Sequence, residues 1–382
     1  MNGLEYFDIY YYSRRILLLL TFAFIFSACS DSSEETLEQK LQKVLNKGVK
    51  KFNVRGVSAA IVFDTDSLWV GTSGISHDTV SMKPDMLFGI GSITKNFVAA
   101  LALKLVENGT LSLEDKLSKW LPAYPHIDSN ITIRQLLNHT SGIYMFWNND
   151  NLWEALKKDR TRIWTPEEVL EYINEPHFQP GESWGYSNTN YLLMAMIIEK
   201  ATGSALLSGF KKYLWEPLNL QNYYLSLGDS LPENQAHVFG DNFQYGSSEM
   251  DITFQPRASH ESITYGSSGI VTTAIDLAKW TYYLFEGNIL GEESMNEMLQ
   301  FIEFKPTFNM RGYGLGVQLF TSNIVNRENA FGHGGGNIGS ATYMVYLPKY
   351  HVSVVVMVNA FPTNSVDYFT DNLIDEFVKL SD

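Results

Sequence analysis

Cysteine is nearly absent from this sequence. Cys29 is the single cysteine among 382 residues, which excludes an internal disulfide and a metal site made of several thiolates. Its place at the end of an N-terminal apolar run argues against a cysteine nucleophile in the mature protein. The eight histidines show no His-Glu-x-x-His or comparable ligand spacing. We therefore expect neither a metal ion nor another cofactor.

Basic charge is also scarce. The chain has 28 Lys and Arg residues against 42 Asp and Glu residues, a formal net charge of −14, and it contains no basic run. A nucleic-acid surface requires clustered Lys and Arg, so nucleic acid is not an expected partner. The composition, 45% hydrophobic and 18% charged, is ordinary for a globular protein with a large core, either one large domain or two interlocked ones.

The N-terminal apolar run is too short to cross a membrane comfortably. Arg14 and Arg15 precede ILLLLTFAFIFSA, 13 residues that end just before Cys29. A bilayer core of about 30 Å needs roughly 20 apolar residues in a helix, whereas this length suits the apolar part of a signal peptide. FSAC resembles a bacterial lipobox, which predicts cleavage before Cys29 and lipidation of it. The alternative is an ordinary secretory signal with an incidental cysteine.

These features predict the order of segments along the chain. Residues 1–28 are expected to be a signal peptide and residues 29–35 an acidic tether. Residues 36–382 are expected to be the folded domain. The predicted location is the bacterial cell envelope, on its periplasmic or surface face, with the membrane as a partner through the lipid anchor.

The periodicity predicts strands at both ends of the domain and helices in its middle. Helices are predicted at 34–52, 131–142, 165–175, 189–203, 270–287 and 366–380, and strands at 56–64, 67–76, 312–320, 341–347 and 351–359. The polar stretch 225–262 is predicted to be a long surface excursion. The predicted fold class is therefore α+β. One sheet is built from both chain ends (residues 36–100 and 266–382), a helical lobe covers 101–265, and a cleft lies between them.

Ser92 and Lys95 stand three residues apart where an apolar helix begins. Residues at this spacing share a helix face, with Cβ atoms roughly 5–6 Å apart. A serine hydroxyl needs an adjacent base, and a lysine, which ordinarily titrates near pH 10.4, becomes one when burial lowers its pKa. The tetrad is weak evidence alone, because Ser208-Gly-Phe-Lys211 matches it too.

Two further short stretches follow the tetrad in the sequence. One is Tyr186-Ser187-Asn188, just before a predicted helix, and the other is His333-Gly334-Gly335. Tyr-x-Asn alone is equally weak, since Tyr172-Ile-Asn174 also matches. The glycines after His333 could suggest the oxyanion loop of α/β-hydrolases, but that fold requires a Gly-x-Ser-x-Gly elbow, which this sequence lacks.

Ser-x-x-Lys, Tyr-x-Asn and His-x-Gly, in this order, resemble the serine β-lactamase and penicillin-binding-protein superfamily. The resemblance is to its branch of class C β-lactamases, D-Ala-D-Ala carboxypeptidases and family VIII esterases. Further blocks resemble that family in the same order over about residues 40–360, namely ITIRQLLNHTSGI, PGESWGYSNTNY, GSSGIVTTAIDLAKW, YGLGV and GHGGGNIGS. The resemblance implies a β-lactamase/transpeptidase-like fold and an acyl-enzyme on Ser92.

The resemblance also implies a role for each motif residue. Lys95 and Tyr186 carry protons, and which of the two accepts the serine proton stays open. Asn188 donates a hydrogen bond to Lys95 or to the substrate amide. The backbone N–H groups of Ser92 and Gly336 form the oxyanion hole.

Glycines in the last motif let a substrate lie against the strand, Gly335 among them. His333 stands where relatives with Lys-Thr-Gly place a lysine near a substrate carboxylate. His139, in the HTSG turn, is interpreted as structural.

The sequence therefore predicts a serine hydrolase that acts on amide or ester substrates, such as a D-amino-acid peptide or ester. The expected partner is a small-molecule or peptide substrate. A true β-lactamase is one alternative, although His-x-Gly in place of Lys-Thr-Gly favours peptidase or esterase relatives. A non-catalytic penicillin-binding sensor is the other. The aromatic residues of YMFWNND, 144–150, could line the cleft or pack between the lobes.

Overall fold

A nine-stranded antiparallel sheet organises the part of the chain that the structure describes. The structure is a computed structural model, and it describes residues 35–240, 250–307, 309–321, 329–360 and 365–381. The predicted signal peptide, Cys29 and nearly all of the predicted tether lie outside these residues. Leu37–Asp382 forms one compact unit by its internal contacts.

The large sheet takes its strands from the two ends of this unit. Its order is β3-β2-β1-β12-β11-β10-β9-β8-β7, and each neighbouring pair is antiparallel. The strands are β1 Gly56–Val62, β2 Leu68–His77, β3 Val80–Ser81, β7 Ile302–Thr307, β8 Met310–Tyr313, β9 Gln318–Phe320, β10 Phe331–Asn337, β11 Ser340–Leu347 and β12 Val352–Val358. A second, small sheet has the order β4-β6-β5, from β4 Phe88–Gly89, β5 Tyr223–Leu225 and β6 Ile270–Thr272.

Helices lie between and beside these strands. They are α1 Leu37–Phe52, α2 Thr94–Glu107, α3 Leu117–Trp120, α4 Ile133–Leu137, α5 Asp150–Lys158, α6 Pro166–Leu170, α7 Asn188–Thr202, α8 Leu206–Phe210, α9 Ala258–Ile263, α10 Ala274–Phe285, α11 Glu292–Met298 and α12 Ser365–Ser381. Among the described residues no single helix has the length and apolar composition of a membrane span. Asn188–Thr202 and Leu206–Leu218 meet that test only as a pair bent by 74°.

The central strands are buried on both faces because helices cover both. Every residue of β1 and β12 is buried, and alternate residues enter two separate cores. Ala59, Ile61 and Val356 pack with α1 and α12 on one face, while Ala60 and Met357 join the larger core on the other. β12, with the sequence VSVVVMV, suits this position because β-branched side chains favour strands.

Local hydrogen bonds set the ends of the helices near the site. At α4, Thr132 accepts from the backbone N–H of Gln135 while the Gln135 side chain accepts from that of Thr132. Such a cap stabilises a helix by about 1 kcal/mol. α4 ends at Leu137, so the predicted helix 131–142 is wrong beyond that residue. The HTSG segment is instead a turn in which His139 has φ 65°.

Other predicted boundaries also need correction. The stretch 270–287 is not one helix, because β6 comes first and Thr273 caps α10 through the backbone N–H of Asp276. The predicted strand 312–320 is broken into β8 and β9. The described part of 225–262 is not only surface, since Val238 and Ile252 are buried. The fold class itself, α+β with a sheet from both chain ends flanked by helices, is confirmed.

Candidate active site

The start of α2 presents Ser92 and buries Lys95 directly behind it. The chain leaves β4, turns at Gly91 with φ 53°, and forms a single 3-10 turn, Gly91–Ile93, before α2 begins. Lys95 is fully buried and Ser92 is half-buried. Lys95 Nζ donates to Ser92 Oγ at 3.0 Å and to the carbonyl oxygen of Ser267 at 2.9 Å.

Lys95 has the environment of a neutral amine. No carboxylate of the described chain forms an ion pair with it, and burial lowers the pKa of Lys95 well below its ordinary value. Burial acts in this direction because a low-dielectric surrounding disfavours the charged form. A neutral amine within hydrogen-bond distance of a serine hydroxyl can accept its proton.

Tyr186 lies on the other side of the serine. Its hydroxyl hydrogen-bonds the Ser92 side chain, and its ring centroid is 4.9 Å from Lys95 Nζ. Burial raises the pKa of Tyr186, an effect that the hydrogen bond to Ser92 opposes. The phenol therefore keeps its proton in the resting site. Ser92, Lys95 and Tyr186, drawn from two separate parts of the sequence, are thus brought together.

The HTSG turn holds Tyr186 in place. The backbone N–H groups of Gly185 and Ser187, on either side of Tyr186, donate to the His139 carbonyl oxygen at 3.0 Å and to His139 Nδ1 at 3.2 Å. The imidazole and phenol ring centroids are 4.4 Å apart. His139 is fully buried, and burial together with Lys95 lowers its pKa well below the usual value. This geometry agrees with a structural part for His139.

Asn188, the first residue of α7, is close to the site but does not contact Lys95 by a hydrogen bond in the described structure. Its backbone N–H donates to Met145 Sδ at 3.0 Å. Its side-chain Oδ1 is buried without a hydrogen-bond partner among the described residues. The expected hydrogen bond from Asn188 to Lys95 is thus not seen in the described residues, and its expected hydrogen bond to the substrate amide stays a prediction.

Gly335 and Gly336 pack against the Ser92 turn. A Cβ atom on Gly335 would overlap the carbonyl oxygen of Ile90, and one on Gly91 would overlap that of Gly336. Only glycine allows this approach. Within the described residues, β9 pairs with just the first two residues of β10, so the edge at Gly335 and Gly336 stays open to an extended substrate backbone.

The structure corrects the expectation for His333. Its side chain is fully buried, with Nε2 2.9 Å from the Tyr313 hydroxyl and Nδ1 2.6 Å from the Gly334 carbonyl oxygen. Burial, followed by the nearby Lys95, lowers the pKa of His333 to about 3. A neutral ring with both nitrogens engaged inside the protein does not present itself to a substrate carboxylate.

The fold and the motifs agree with the comparisons to known proteins. A family model described as beta-lactamase matches residues 41–379. The chain belongs to the beta-lactamase family. This beta-lactamase-family protein has the serine-hydrolase-type β-lactamase/transpeptidase-like fold, as the sequence predicted.

Three relatives show the breadth of that family. Penicillin-binding protein 4* of Bacillus subtilis is 28% identical over 73% of this chain. The chain spans 62% of that protein's length. A D-stereospecific amidohydrolase from Streptomyces is 29% identical with a TM-score of 0.75, covering 87% of this chain and 97% of its own. D-amino acid amidase from Ochrobactrum anthropi, 24% identical, has the same fold with a TM-score of 0.79, covering 91% of this chain and 99% of its own.

The beta-lactamase-family site contains partners that the sequence did not single out. Ser267 supplies the second acceptor for Lys95, and it lies between Gly266 and Gly269, both at positive φ. Tyr191 anchors α7 by donating to the Leu137 carbonyl oxygen at 2.8 Å. In the sequence, Ser267 lies in the segment GSSG and Tyr191 directly follows YSNTN. Neither residue type indicates a catalytic role by itself.

The competing Ser-x-x-Lys match does not pair its serine with its lysine. Ser208 is exposed, and Lys211 Nζ pairs with Asp229 at 2.7 Å. In the aromatic stretch, Phe146 is buried in the core, while Trp147 stacks on Trp153 with centroids 4.5 Å apart. Of the two alternatives for this stretch, packing in the core rather than lining the cleft therefore applies to Phe146. Across the described ranges, no three His, Cys, Asp or Glu side chains are grouped so that they could hold a metal ion.

Proposed function

We propose that this protein hydrolyses amides or esters of D-amino acids through an acyl-enzyme on Ser92. The observation that supports this most is the arrangement around Ser92 Oγ. A buried lysine without a carboxylate partner lies 3.0 Å from it on one side, and a protonated tyrosine hydroxyl lies on the other.

Acylation follows from these contacts. Lys95 Nζ accepts the Ser92 proton while Oγ attacks the carbonyl carbon of the substrate. The backbone N–H groups of Ser92 and Gly336 stabilise the negative oxygen that forms, an effect commonly worth about 10²- to 10³-fold in rate per donor. Tyr186 then passes a proton to the leaving nitrogen or oxygen and is reprotonated from Lys95, and the C–N or C–O bond breaks.

Deacylation uses the same groups with water. Lys95, which is neutral again after acylation, accepts a proton from a water molecule, and the water oxygen attacks the acyl carbon. The Ser92 ester bond breaks and Ser92 Oγ regains a proton, so the acid product leaves and the site returns to its starting state. Lys95 as the acceptor of the first proton fits the lowered pKa of its amine and the raised pKa of Tyr186.

The substrate class is inferred from the relatives. A D-stereospecific amidohydrolase and a D-amino acid amidase share this fold, and the open edge of β10 suits an extended amide. We infer that the side chain of Asn188, which directly follows Tyr186-Ser187 and whose oxygen has no hydrogen-bond partner among the described residues, binds that amide.

The test is a panel of matched D- and L-amino-acid amides and esters, together with one cephalosporin, using the wild type and Ser92→Ala. We expect turnover of D-amides or D-esters at least tenfold faster than of the L forms, and none by Ser92→Ala. Faster turnover of the cephalosporin would favour the true β-lactamase, and a stable Ser92 adduct without turnover would favour the sensor.

We also propose that the protein is a lipoprotein of the bacterial cell envelope, anchored through Cys29. The apolar run and FSAC support this proposal. Mass spectrometry of the membrane fraction should find a diacylglyceryl group on Cys29, and Cys29→Ala should release the protein from the membrane. A mature N-terminus elsewhere, without lipid, would defeat the anchor and leave secretion intact.

A further inference from the structure

Helix α1 concentrates positive charge in a protein that is acidic as a whole. Its sequence, LEQKLQKVLNKGVKKF, contains five lysines and a single acidic residue, Glu38. The complete chain has 28 basic and 42 acidic residues, a net charge of −14. The lysines of α1 are Lys40, Lys43, Lys47, Lys50 and Lys51. The charge of this helix is therefore opposite to that of the molecule.

The geometry of an α-helix places these lysines on one stripe. With 3.6 residues per turn, successive residues are rotated by about 100°, so the five lysines fall within an arc of roughly 100°. Glu38 lies almost opposite the centre of that arc. The helix packs on the sheet and on α12 through a separate, buried face, which consists of Leu41, Val44, Leu45 and Gly48.

This lysine stripe is open to solvent and keeps most of its charge unpaired. Four of the five lysines are exposed, and Lys40 is half-buried. In the described structure the side chains of Lys40, Lys47 and Lys50 form no ion pair. Two carboxylates near the end of α12, the neighbouring helix, pair with Lys379 of α12 itself. The stripe thus presents positive charge outward.

The length of the chain connects α1 to the proposed lipid anchor. Cys29 stands eight residues before Leu37, where the helix begins. A chain spans at most about 3.3–3.6 Å per residue, so a lipid on Cys29 would hold the start of α1 within roughly 30 Å of the membrane. Confinement at so short a distance gives a high effective concentration, and a weak attraction is then enough to form a contact.

Charge favours the membrane surface as the partner of this stripe. Anionic lipids give a membrane a negative surface potential, and each Lys or Arg near such a surface strengthens binding about fivefold. The attraction fades within a Debye length of about 8–10 Å, so only lysines that face the lipid contribute. Since the net charge of −14 opposes other orientations, the lysine stripe is the face that an anionic membrane attracts.

We propose that the lysine stripe of α1 docks on anionic phospholipid headgroups and so orients the domain on the membrane. The proposal rests on the envelope location proposed above, because it needs a membrane within reach of α1. Helix α1 and the core that contains α2 lie on opposite faces of the large sheet. Docking through the stripe therefore does not require the Ser92 site to face the lipid.

The experiment measures binding of the full chain to vesicles in a Cys29→Ala background, so that lipidation does not contribute. Co-sedimentation at low ionic strength compares vesicles of phosphatidylglycerol mixed with phosphatidylcholine against vesicles of phosphatidylcholine alone. The ratio of the two partition coefficients isolates the effect of charge from any apolar binding. The stripe variant is Lys40→Gln/Lys47→Gln/Lys50→Gln, and glutamine is about as good a helix former as lysine.

The matched control removes the same amount of charge from other helices. It is Lys157→Gln/Lys158→Gln/Lys200→Gln, which changes exposed lysines of α5 and α7. We expect a preference for phosphatidylglycerol of about 100-fold or more in the Cys29→Ala protein, lost at high salt. The preference should fall by at least about tenfold in the stripe variant, because three lysines that each contribute about fivefold are removed. In the control it should stay within about threefold.

An unchanged melting temperature shows that each variant is folded. The proposal would be overturned by equal binding to both kinds of vesicle, or by a loss of preference in the control as large as in the stripe variant. Tighter stripe-dependent binding to dextran sulfate than to the vesicles would assign this face to an anionic polysaccharide instead. A mature protein without lipid on Cys29 would overturn the proposed anchor and leave the vesicle result unaffected.

Discussion

At the scale of single residues, the proposed chemistry depends on Lys95 being neutral. A lysine with an ordinary pKa is charged at pH 7 and cannot accept a proton. Lys95 is held without a carboxylate partner in the described chain, and burial shifts its pKa downward. The hydrogen bonds to Ser92 and Ser267 position the amine rather than neutralise it.

This predicts the pH dependence of the reaction. The rate should rise with pH as Lys95 loses its proton and then level off. Because burial lowers the pKa of Lys95, the plateau of kcat/KM should begin well below pH 10. Lys95→Arg keeps the charge at every accessible pH and should lower kcat/KM by on the order of 10³-fold or more. A wild-type rate that is still rising at pH 9–10 would contradict a neutral Lys95.

His333 allows a second prediction, about stability. Its pKa is about 3 in the folded protein against about 6.5 unfolded, so the unfolded state binds more protons between these values and stability falls as pH drops from about 6.5 to 3. His333→Lys would place a charge in the same buried site. We expect it to lower the free energy of unfolding by about 3 kcal/mol or more.

The matched control for that variant is His351→Lys. The His351 side chain is 69% exposed and pairs with Glu286, so a lysine there keeps the pairing and should change stability by less than about 0.5 kcal/mol. Denaturant unfolding of both variants at pH 7 measures the difference. Normal stability of His333→Lys, with a gain in carboxylate-bearing substrates, would restore the substrate-facing role that the sequence suggested.

At the scale of elements, the contact between β10 and the Ser92 turn aligns the two oxyanion donors. Gly335→Ala would push a methyl group into the Ile90 carbonyl oxygen and force the strand away from the turn. A displacement of about 1 Å in such a site can reduce the rate by roughly 10²-fold. We expect kcat to fall by that factor, because the donors act mainly in the transition state.

Gly291→Ala is the control for an added methyl group. A Cβ atom there would meet only Glu107 Oε1, at 3.5 Å, an ordinary contact. Its kcat should remain within about twofold of the wild type. If Gly335→Ala also keeps its kcat, the close approach of β10 to the turn has no part in catalysis.

The sequence predicted elements better than it predicted their ends and contacts. The strands rich in β-branched residues were found because their patterns are local. The same holds for α7, which ends at Thr202 and is capped by Gly203 with φ 65°. The prediction failed at 270–287 because β6 pairs with two strands distant in sequence. Pairing of that kind depends on tertiary position and leaves no period in three residues.

In the candidate site, too, local spacing predicted some contacts, while others depend on the fold. Spacing was enough to associate Ser92 with Lys95, since three residues along a helix start share a face. The direction of the His333 side chain depends on β10 pairing with β11 and on Tyr313 in β8, so residue type could not supply it. The Ser267 carbonyl is a backbone group, available in any sequence, and only the fold places it beside Lys95.

At the scale of the whole molecule, the two faces of the large sheet have different roles. The larger core supports the site, while the core of α1, α12 and the sheet is remote from Ser92 in its contacts. Phe369 is fully buried there and touches α1 so closely that Gly48 could not carry a side chain. We expect Phe369→Ala to destabilise the protein by about 3–5 kcal/mol and to leave kcat within about twofold.

Thermal unfolding measures the stability of Phe369→Ala, and kcat is measured at a temperature where the variant is folded. Leu68→Ala is the control, because Leu68 is 42% exposed and its truncation should lower stability only slightly. A fall in kcat of Phe369→Ala by tenfold at a temperature where the variant is folded would show that the site depends on this face as well.

Covalent attachment of the acyl group to Ser92 can be measured directly. The protein is mixed with a D-amino-acid ester, and the reaction is quenched in acid during turnover. After digestion, the modified peptide is identified by mass spectrometry. Ser208→Ala is the matched control because it removes the other Ser-x-x-Lys serine. The predicted result is a mass increase equal to the acyl group on the peptide that contains Ser92. It should persist in Ser208→Ala and disappear, with turnover, in Ser92→Ala. Turnover that continues in Ser92→Ala, or an adduct that moves to another residue in the wild type, would contradict the mechanism.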